Sequence, residues 1–121
     1  MALSRIVLRL ARNPGGPFSE GDDERGYAFV AQLTGEGKPD TAALGQGGED
    51  GSARRFVSGE DPVEGRLVRT GDGWAFDFGD GAGDQPVYRL GDHRFVVGEY
   101  VTVTDEDGEP LTYKVAEVAG A

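Results

Sequence analysis

The sequence contains no cysteine and only one histidine, His93. The lack of cysteine excludes disulfide bonds, cysteine-ligated zinc and thiol nucleophiles. A single histidine excludes metal sites that are built on two or three histidines. No apolar run approaches the ~20 residues that a membrane-spanning helix needs. We therefore expect no metal ion, no cofactor and no membrane partner.

Basic residues are few compared with acidic ones. The chain has 12 Lys and Arg residues against 22 Asp and Glu residues, and its formal net charge is −10 at pH 7. A surface of this sign repels the phosphate backbone on average, so nucleic acid is not an expected partner. The acidic residues cluster beside glycines, which is typical of solvated turns.

Long apolar segments are scarce as well. Hydrophobic residues make up 37% of the chain, and 21 of the 121 residues are glycine. This composition favours short strands joined by many tight turns. The clearest alternation places Trp74, Phe76 and Phe78 on one side of a strand, and such an aromatic row is typical of a core face. Weaker alternation predicts further strands at residues 25–34, 53–58, 66–70 and 86–90.

Seven or eight short strands with frequent turns predict an all-β fold. In a chain of this length, closure removes exposed sheet edges, so we expect a small closed or partly open β-barrel. The length suits a single domain that comprises residues 1–121. Residues 35–52 are rich in Gly, Asp and Glu. We interpret them as a flexible surface loop.

The first twelve residues allow two interpretations. As a helix, they form an amphipathic segment with Arg5 and Arg9 on the polar face, as in an organelle transit peptide. As a strand, Ile6, Leu8 and Leu10 point to one side. Leu8 lies off the apolar face of the helix, and a Pro- and Gly-rich turn follows the segment, so the pattern favours the strand.

The C-terminal part of the chain has the strongest hairpin pattern, around a turn at residues 105–108. If residues 95–103 form one regular strand, Glu99 points inward beside Val97, where a lone carboxylate is costly and titrates abnormally. A bulge at Gly98 turns Glu99 outward instead, and the position of this glycine favours the bulge. The residues that we expect in the core are Val101, Val103, Tyr113 and Val115.

Three segments carry a resemblance to a known family. They read ALSRIVLRLARNP at residues 2–14, GYAFVA at 26–31 and HRFVVGEYV at 93–101, with RRF at 54–56 as a weaker fourth. In this order they resemble a family of short bacterial proteins that has no established activity. The Gly-rich residues 35–52 depart from the longer, helix-like segment of that family. The resemblance implies a bacterial, cytoplasmic protein and adds no catalytic residue.

Candidate chemistry rests on two small groups of residues. His93 is a candidate general acid or base beside Asp92, and an inward Glu99 is a third candidate. No Ser or Cys motif accompanies them, and a histidine that opens a strand is usually a turn residue. Arg54 and Arg55 are a candidate anion clamp, with pairing to acidic turns as the alternative.

Three functions remain open at this level. A barrel without a nucleophile, metal cluster or phosphate loop fits a non-catalytic binding or interaction module, which binds a protein partner or itself. The alternatives are a small enzyme with carboxylate and histidine acid–base groups, and a barrel that binds a small ligand in its interior. A filled interior with an exposed apolar patch favours the module, and an empty interior favours the ligand barrel.

Overall fold

A computed structural model describes residues 3–15, 19–40, 51–70, 73–79, 85–87, 90, 93–104 and 108–120. Within these residues the chain forms strands and no helix, as the sequence predicts. The strands are β1 (Leu3–Leu10), β2 (Asp22–Gln32), β3 (Ser52–Phe56), β4 (Val63–Thr70), β5 (Gly73–Asp77), β6 (Gln85–Val87), β7 (Tyr100–Thr104) and β8 (Pro110–Gly120).

The eight strands close into an antiparallel barrel. Each strand pairs with the next along the chain, and β8 pairs with β1 to complete the ring. The predicted small barrel is confirmed, and it is closed. The helical interpretation of the N-terminal residues is wrong, because β1 pairs along its whole length with β2. Ile6, Leu8 and Leu10 all point into the core, an arrangement that only the two-residue period of a strand allows.

Aromatic side chains fill the interior. Tyr27 stacks on Phe76 with ring centroids 4.7 Å apart, and Phe29 meets Phe95 edge-on at 5.3 Å. The predicted aromatic row at Trp74, Phe76 and Phe78 is buried, and so are the four predicted core residues of the C-terminal hairpin, Val101, Val103, Tyr113 and Val115. These ring contacts fill the part of the interior that lies between β2, β5 and Phe95.

Gly26 allows the barrel wall to bend tightly where the backbone of β2 lies very close to that of β1. A Cβ atom added at this position would lie 1.8 Å from the backbone oxygen of Leu8. Gly26 pairs with Arg9, and the register of β1 against β2 shifts directly after this pair, between Arg9 and Leu10. A bulge beside a glycine strengthens the local twist, which helps a small sheet to close.

The two ends of the barrel differ. At the lower end, where β2 and β6 finish, Leu90 and Phe95 are buried and plug the interior. A short turn after β2 covers this plug, because the backbone N–H of Phe95 donates to the oxygen of Gly37 at 2.8 Å and Arg94 Nε donates to the oxygen of Glu36 at 3.1 Å. The upper end, where β1, β3, β5 and β7 finish, has a polar layer instead.

The regular strand considered for residues 95–103 is wrong in its first half. β7 begins only at Tyr100, and Val97 is 65% exposed although the alternation placed it inside. Gly98 has a φ of 99°, a left-handed conformation that glycine adopts readily, and the backbone turns there. Of the predicted loop 35–52, residues 41–50 lie outside the described part, and Ser52 already belongs to β3.

Candidate functional site

The predicted acid–base residues do not form one site in the described part of the chain. Asp92 lies outside the described residues. His93 is half-buried, with its ring 6.1 Å from that of Phe95 and its Nε2 buried without a partner. Glu99 is exposed in the turn, where its N–H donates to the oxygen of Val96. No hydrogen bond or ion pair between described residues joins His93 to Glu99.

Arg54 and Arg55 lie on opposite faces of β3, as successive strand residues do. Arg54 is exposed on the outer face and forms an ion pair with Glu64, with Nη2 and Oε1 2.6 Å apart. Arg55 points toward the barrel interior, and its guanidinium lies 5.0 Å from the centre of the Phe78 ring. The two guanidinium groups therefore belong to different environments, and Arg55 alone reaches the polar layer of the upper end.

The polar layer is centred on a buried glutamine. Tyr27 Oη donates a hydrogen bond of 2.5 Å to Gln85 Oε1, and Tyr113 hydrogen-bonds to Tyr27. Gln85 has no exposed surface, and its Nε2 has no hydrogen-bond partner in the described part of the chain. A phenol has one hydrogen, so Tyr113 must donate to Tyr27. The chain of hydrogen bonds thus runs from Tyr113 through Tyr27 to Gln85 and ends on an amide N–H group without an acceptor among the described residues.

Burial raises the pKa of Tyr27 far above its ordinary value, and the neighbouring Tyr113 raises it further. The positive charges of Arg55 and Arg25 lower this pKa, but their effect is smaller. Desolvation disfavours the charged form of any buried acid. Tyr27 is therefore a neutral hydroxyl at physiological pH and donates its hydrogen bond rather than acting as a base.

A cavity of about 10 Å³ lies within this layer. It has room for about one water-sized group. The described residues that line it provide hydrogen-bond donors and positive charge, and none of these described residues is Asp or Glu. The lining residues are Arg25, Gly26, Tyr27, Arg55, Val57, Gln85 and Tyr113.

A second feature is a groove of about 840 Å³ on the outer surface of β8 and β1, which we call the outer groove. Val97 and Tyr100 line one side of it. Tyr100 lies opposite Lys114 in the β7–β8 pair, and Lys114 lies opposite Arg9 in the β8–β1 pair, so the three side chains form a row. Arg12 lies beside this row, and Glu20 and Asp23 complete the polar rim.

Two of the three exposed large apolar side chains among the described residues line the outer groove. Val97 is 65% exposed and Tyr100 56%, whereas Val96 is 37% exposed and is not part of the groove lining. They lie within five consecutive residues, whereas single exposed apolar residues scattered over a surface are the ordinary case. The sequence analysis placed Val97 inside only for a regular strand, and it did not predict an exposed patch here. It used the expected bulge at Gly98 to place Glu99 and did not extend that reasoning to Val97.

The cations of the outer groove differ in their contacts. Arg9 donates to the backbone oxygen of Asp23 at 2.6 Å and lies 3.7 Å from a Glu117 oxygen. The side chains of Arg12 and Lys114 are exposed and make no hydrogen bond or ion pair with other residues in the described ranges. The outer groove therefore combines an apolar patch with available positive charge, in a chain whose net charge is −10.

The described residues contain no cluster of three His, Asp or Glu side chains that could hold a metal ion. They also contain no helix that is long and apolar enough to cross a membrane. Comparisons of the chain with protein-family models, curated proteins and solved structures found no match. The argument about function therefore rests on the upper end of the barrel and on the outer groove.

Proposed function

We propose that this protein is a non-catalytic interaction module that binds a partner protein through the outer groove. The observation that carries the proposal is the exposure of two large apolar side chains, Val97 and Tyr100, along the outer groove. Burying apolar surface on a partner would contribute about 25 cal/mol of favourable free energy per Å². Contiguous apolar surface with a polar rim is typical of binding surfaces.

The partner that fits the outer groove is an acidic segment with large apolar side chains. Its apolar side chains would cover Val97 and Tyr100, and its carboxylates would meet Arg12 and Lys114. The rest of this acidic protein repels such a segment, so the positive groove determines where the segment binds. Charge of opposite sign increases the rate of encounter and fixes orientation more than it adds affinity.

The two alternative functions have less support. Packed aromatic rings occupy the centre of the barrel, and the cavity at its upper end has a volume of only about 10 Å³. A drug-sized ligand needs a pocket of roughly 300 Å³ or more. For an enzyme, no hydrogen bond joins His93 to Glu99, and no Ser or Cys among the described residues makes a hydrogen bond to either. A bacterial cytoplasm as the setting stays a prediction from the family resemblance.

A phage-displayed library of random peptides tests the proposal directly. We expect the selected peptides to combine Asp or Glu with large apolar residues. Their affinity should fall about tenfold or more for Val97→Ser and for Lys114→Glu, since one central contact is commonly worth more than 1.4 kcal/mol. Val97 and Lys114 are exposed, so neither change threatens the fold.

Lys38→Glu is the matched control, because it makes the same charge change at the lower end of the barrel, beside Glu36. The control should bind the selected peptides as the wild type does. Equal losses in Lys38→Glu and Lys114→Glu would show that only net charge matters, and would overturn the proposal. Analytical ultracentrifugation tests whether the protein binds itself through the outer groove. A dimer that Val97→Ser dissociates would show that a second copy of the chain occupies the groove, and this would overturn the proposal of a different partner protein.

A further inference from the structure

We propose that Glu20 and Asp23 make the outer groove select partner segments that carry a cationic group in addition to carboxylates and apolar side chains. This inference rests on the proposed function, because it adds a requirement to the segment that the groove binds. Glu20 and Asp23 are exposed and both line the groove. Their carboxylates make no hydrogen bond or ion pair with other residues in the described ranges, and Arg9 contacts Asp23 only through its backbone oxygen. The groove therefore presents available charge of both signs.

The order of the strands arranges the groove in three zones. Tyr100 belongs to β7, Lys114 to β8 and Asp23 to β2, and β1 lies between β8 and β2. Arg12 follows the end of β1, and Glu20 precedes the start of β2. The groove thus has apolar surface on the β7 side, positive charge in the middle and negative charge on the β2 side.

One short segment can contact all three zones. β7 and β2 are three strand positions apart in the ring. At about 4.8 Å per strand this is about 14 Å along the barrel wall, a distance that about five extended residues cover. Such a segment places an apolar side chain at one end, a carboxylate in the middle and a Lys or Arg side chain at the other end. Because the three zones differ, the segment binds in one direction only.

The charge of Glu20 and Asp23 determines why the last group is cationic. A partner with carboxylates and apolar groups alone would be repelled by these two acids while it approaches Arg12 and Lys114. A Lys or Arg side chain beside the two acids replaces this repulsion with attraction. Repulsion of wrong partners and attraction of the right one together set the specificity of an interface. Exposed ion pairs add little affinity, so the two acids select the partner more than they strengthen its binding.

The test repeats the selection of phage-displayed peptides on the wild type and on the double variant Glu20→Gln with Asp23→Asn. Both substitutions keep the shape of an exposed side chain and remove its charge. Asp23→Asn also keeps the backbone oxygen that accepts from Arg9. The wild type should select peptides in which carboxylates lie between an apolar residue and a Lys or Arg. The double variant should select carboxylates and apolar residues without the basic residue.

Synthetic peptides from the wild-type selection then give the affinities. Each peptide is also made with its Lys or Arg replaced by Gln. At low salt the Gln form should bind to the wild type about three- to tenfold more weakly, because it loses exposed ion pairs and restores the repulsion. The two forms should bind about equally to the double variant. Added salt should reduce the difference in the wild type, since exposed charges are screened.

The double variant Glu24→Gln with Asp61→Asn is the matched control, because it removes the same two charges from exposed positions outside the groove lining. It should keep the preference of the wild type for the basic peptide, and an equal loss of this preference in the control would overturn the inference. A wild-type selection without enriched Lys or Arg would also overturn it. Peptides that lose affinity on Val97→Ser and Lys114→Glu, but bind equally with Lys or Gln, would overturn this inference alone. Peptides that ignore Val97→Ser and Lys114→Glu would overturn the proposed function itself.

Discussion

The hydrogen bond from Tyr27 to Gln85 makes a prediction that tests the polar layer through stability. Tyr27→Phe removes one oxygen and keeps the ring, so its stacking on Phe76 at 4.7 Å is preserved. Gln85 Oε1 loses its donor, and Gln85 has no exposed surface. Leaving a buried acceptor unsatisfied costs about 1–3 kcal/mol. We expect the free energy of unfolding at pH 7 to fall by this amount.

The cost should shrink at high pH. Tyr27 ionises near pH 10 in the unfolded chain, whereas in the folded protein its raised pKa keeps it protonated. Above pH 10 the folded state therefore binds one proton more than the unfolded state at this residue. Wild-type stability then falls by about 1.4 kcal/mol per pH unit from Tyr27 alone. Tyr27→Phe lacks this group, so the difference between the two stabilities should shrink by about 1.4 kcal/mol between pH 10 and pH 11.

Urea unfolding followed by the fluorescence of Trp74, the single tryptophan, measures both effects from pH 7 to pH 11. Tyr100→Phe is the control, because Tyr100 is 56% exposed and its loss should change neither the stability nor its pH dependence. Parallel pH profiles of the wild type and Tyr27→Phe would refute the reasoning, since Tyr27 would then ionise alike in both states.

Three other substitutions test the barrel wall and the turn before β7. Val103→Ala should lower the free energy of unfolding by about 1–3 kcal/mol in urea titrations, whereas Thr102→Ala on the other face of the strand should cost much less. Gly26→Ala should abolish the folded signal in circular dichroism, because its Cβ would lie 1.8 Å from the oxygen of Leu8; a folded variant of near wild-type stability would contradict the close approach. Glu99→Gln should leave the melting temperature unchanged from pH 5 to pH 8, since Glu99 is exposed, and a pH-dependent difference would mean that its carboxylate is desolvated.

Local patterning was sufficient to predict the barrel wall. Each half-buried strand has to alternate, so Trp74 and Phe76 in β5 and Val101 and Val103 in β7 identify their own inward faces. Closure followed from the number of short strands and the disadvantage of open edges. None of these inferences needs knowledge of which strands are neighbours.

Local sequence patterns could not predict which side chains are buried at the lower end of the barrel. Phe95 is buried and Val97 is exposed although both occupy odd positions of the same apparent alternation. The turn at Gly98 resets the direction of the side chains, and Phe95 packs inside against Phe29 while its N–H donates to the oxygen of Gly37. That contact joins residues far apart in the sequence, so no short window contains it.

The polar layer escaped prediction for the same reason. Arg55 was noticed only as one half of a basic pair, while its actual neighbours come from other strands. Tyr27 and Gln85 are 58 residues apart, and only the closed sheet brings them together. One local signal was present: Gln85 lies two residues before Val87 and so shares its inward face.

A double substitution tests whether Tyr27 and Gln85 depend on each other. When both partners of a buried hydrogen bond become apolar groups of similar shape, the change can be nearly neutral. Tyr27→Phe with Gln85→Met should therefore be more stable in urea than Tyr27→Phe alone, by about 1–2 kcal/mol. Additive stability costs of the two substitutions, measured in a double-mutant cycle, would mean that Tyr27 and Gln85 do not depend on each other. A recovered stability would show that an apolar pair suffices for the fold at this position, and that the hydrogen bond is not needed to keep the barrel closed.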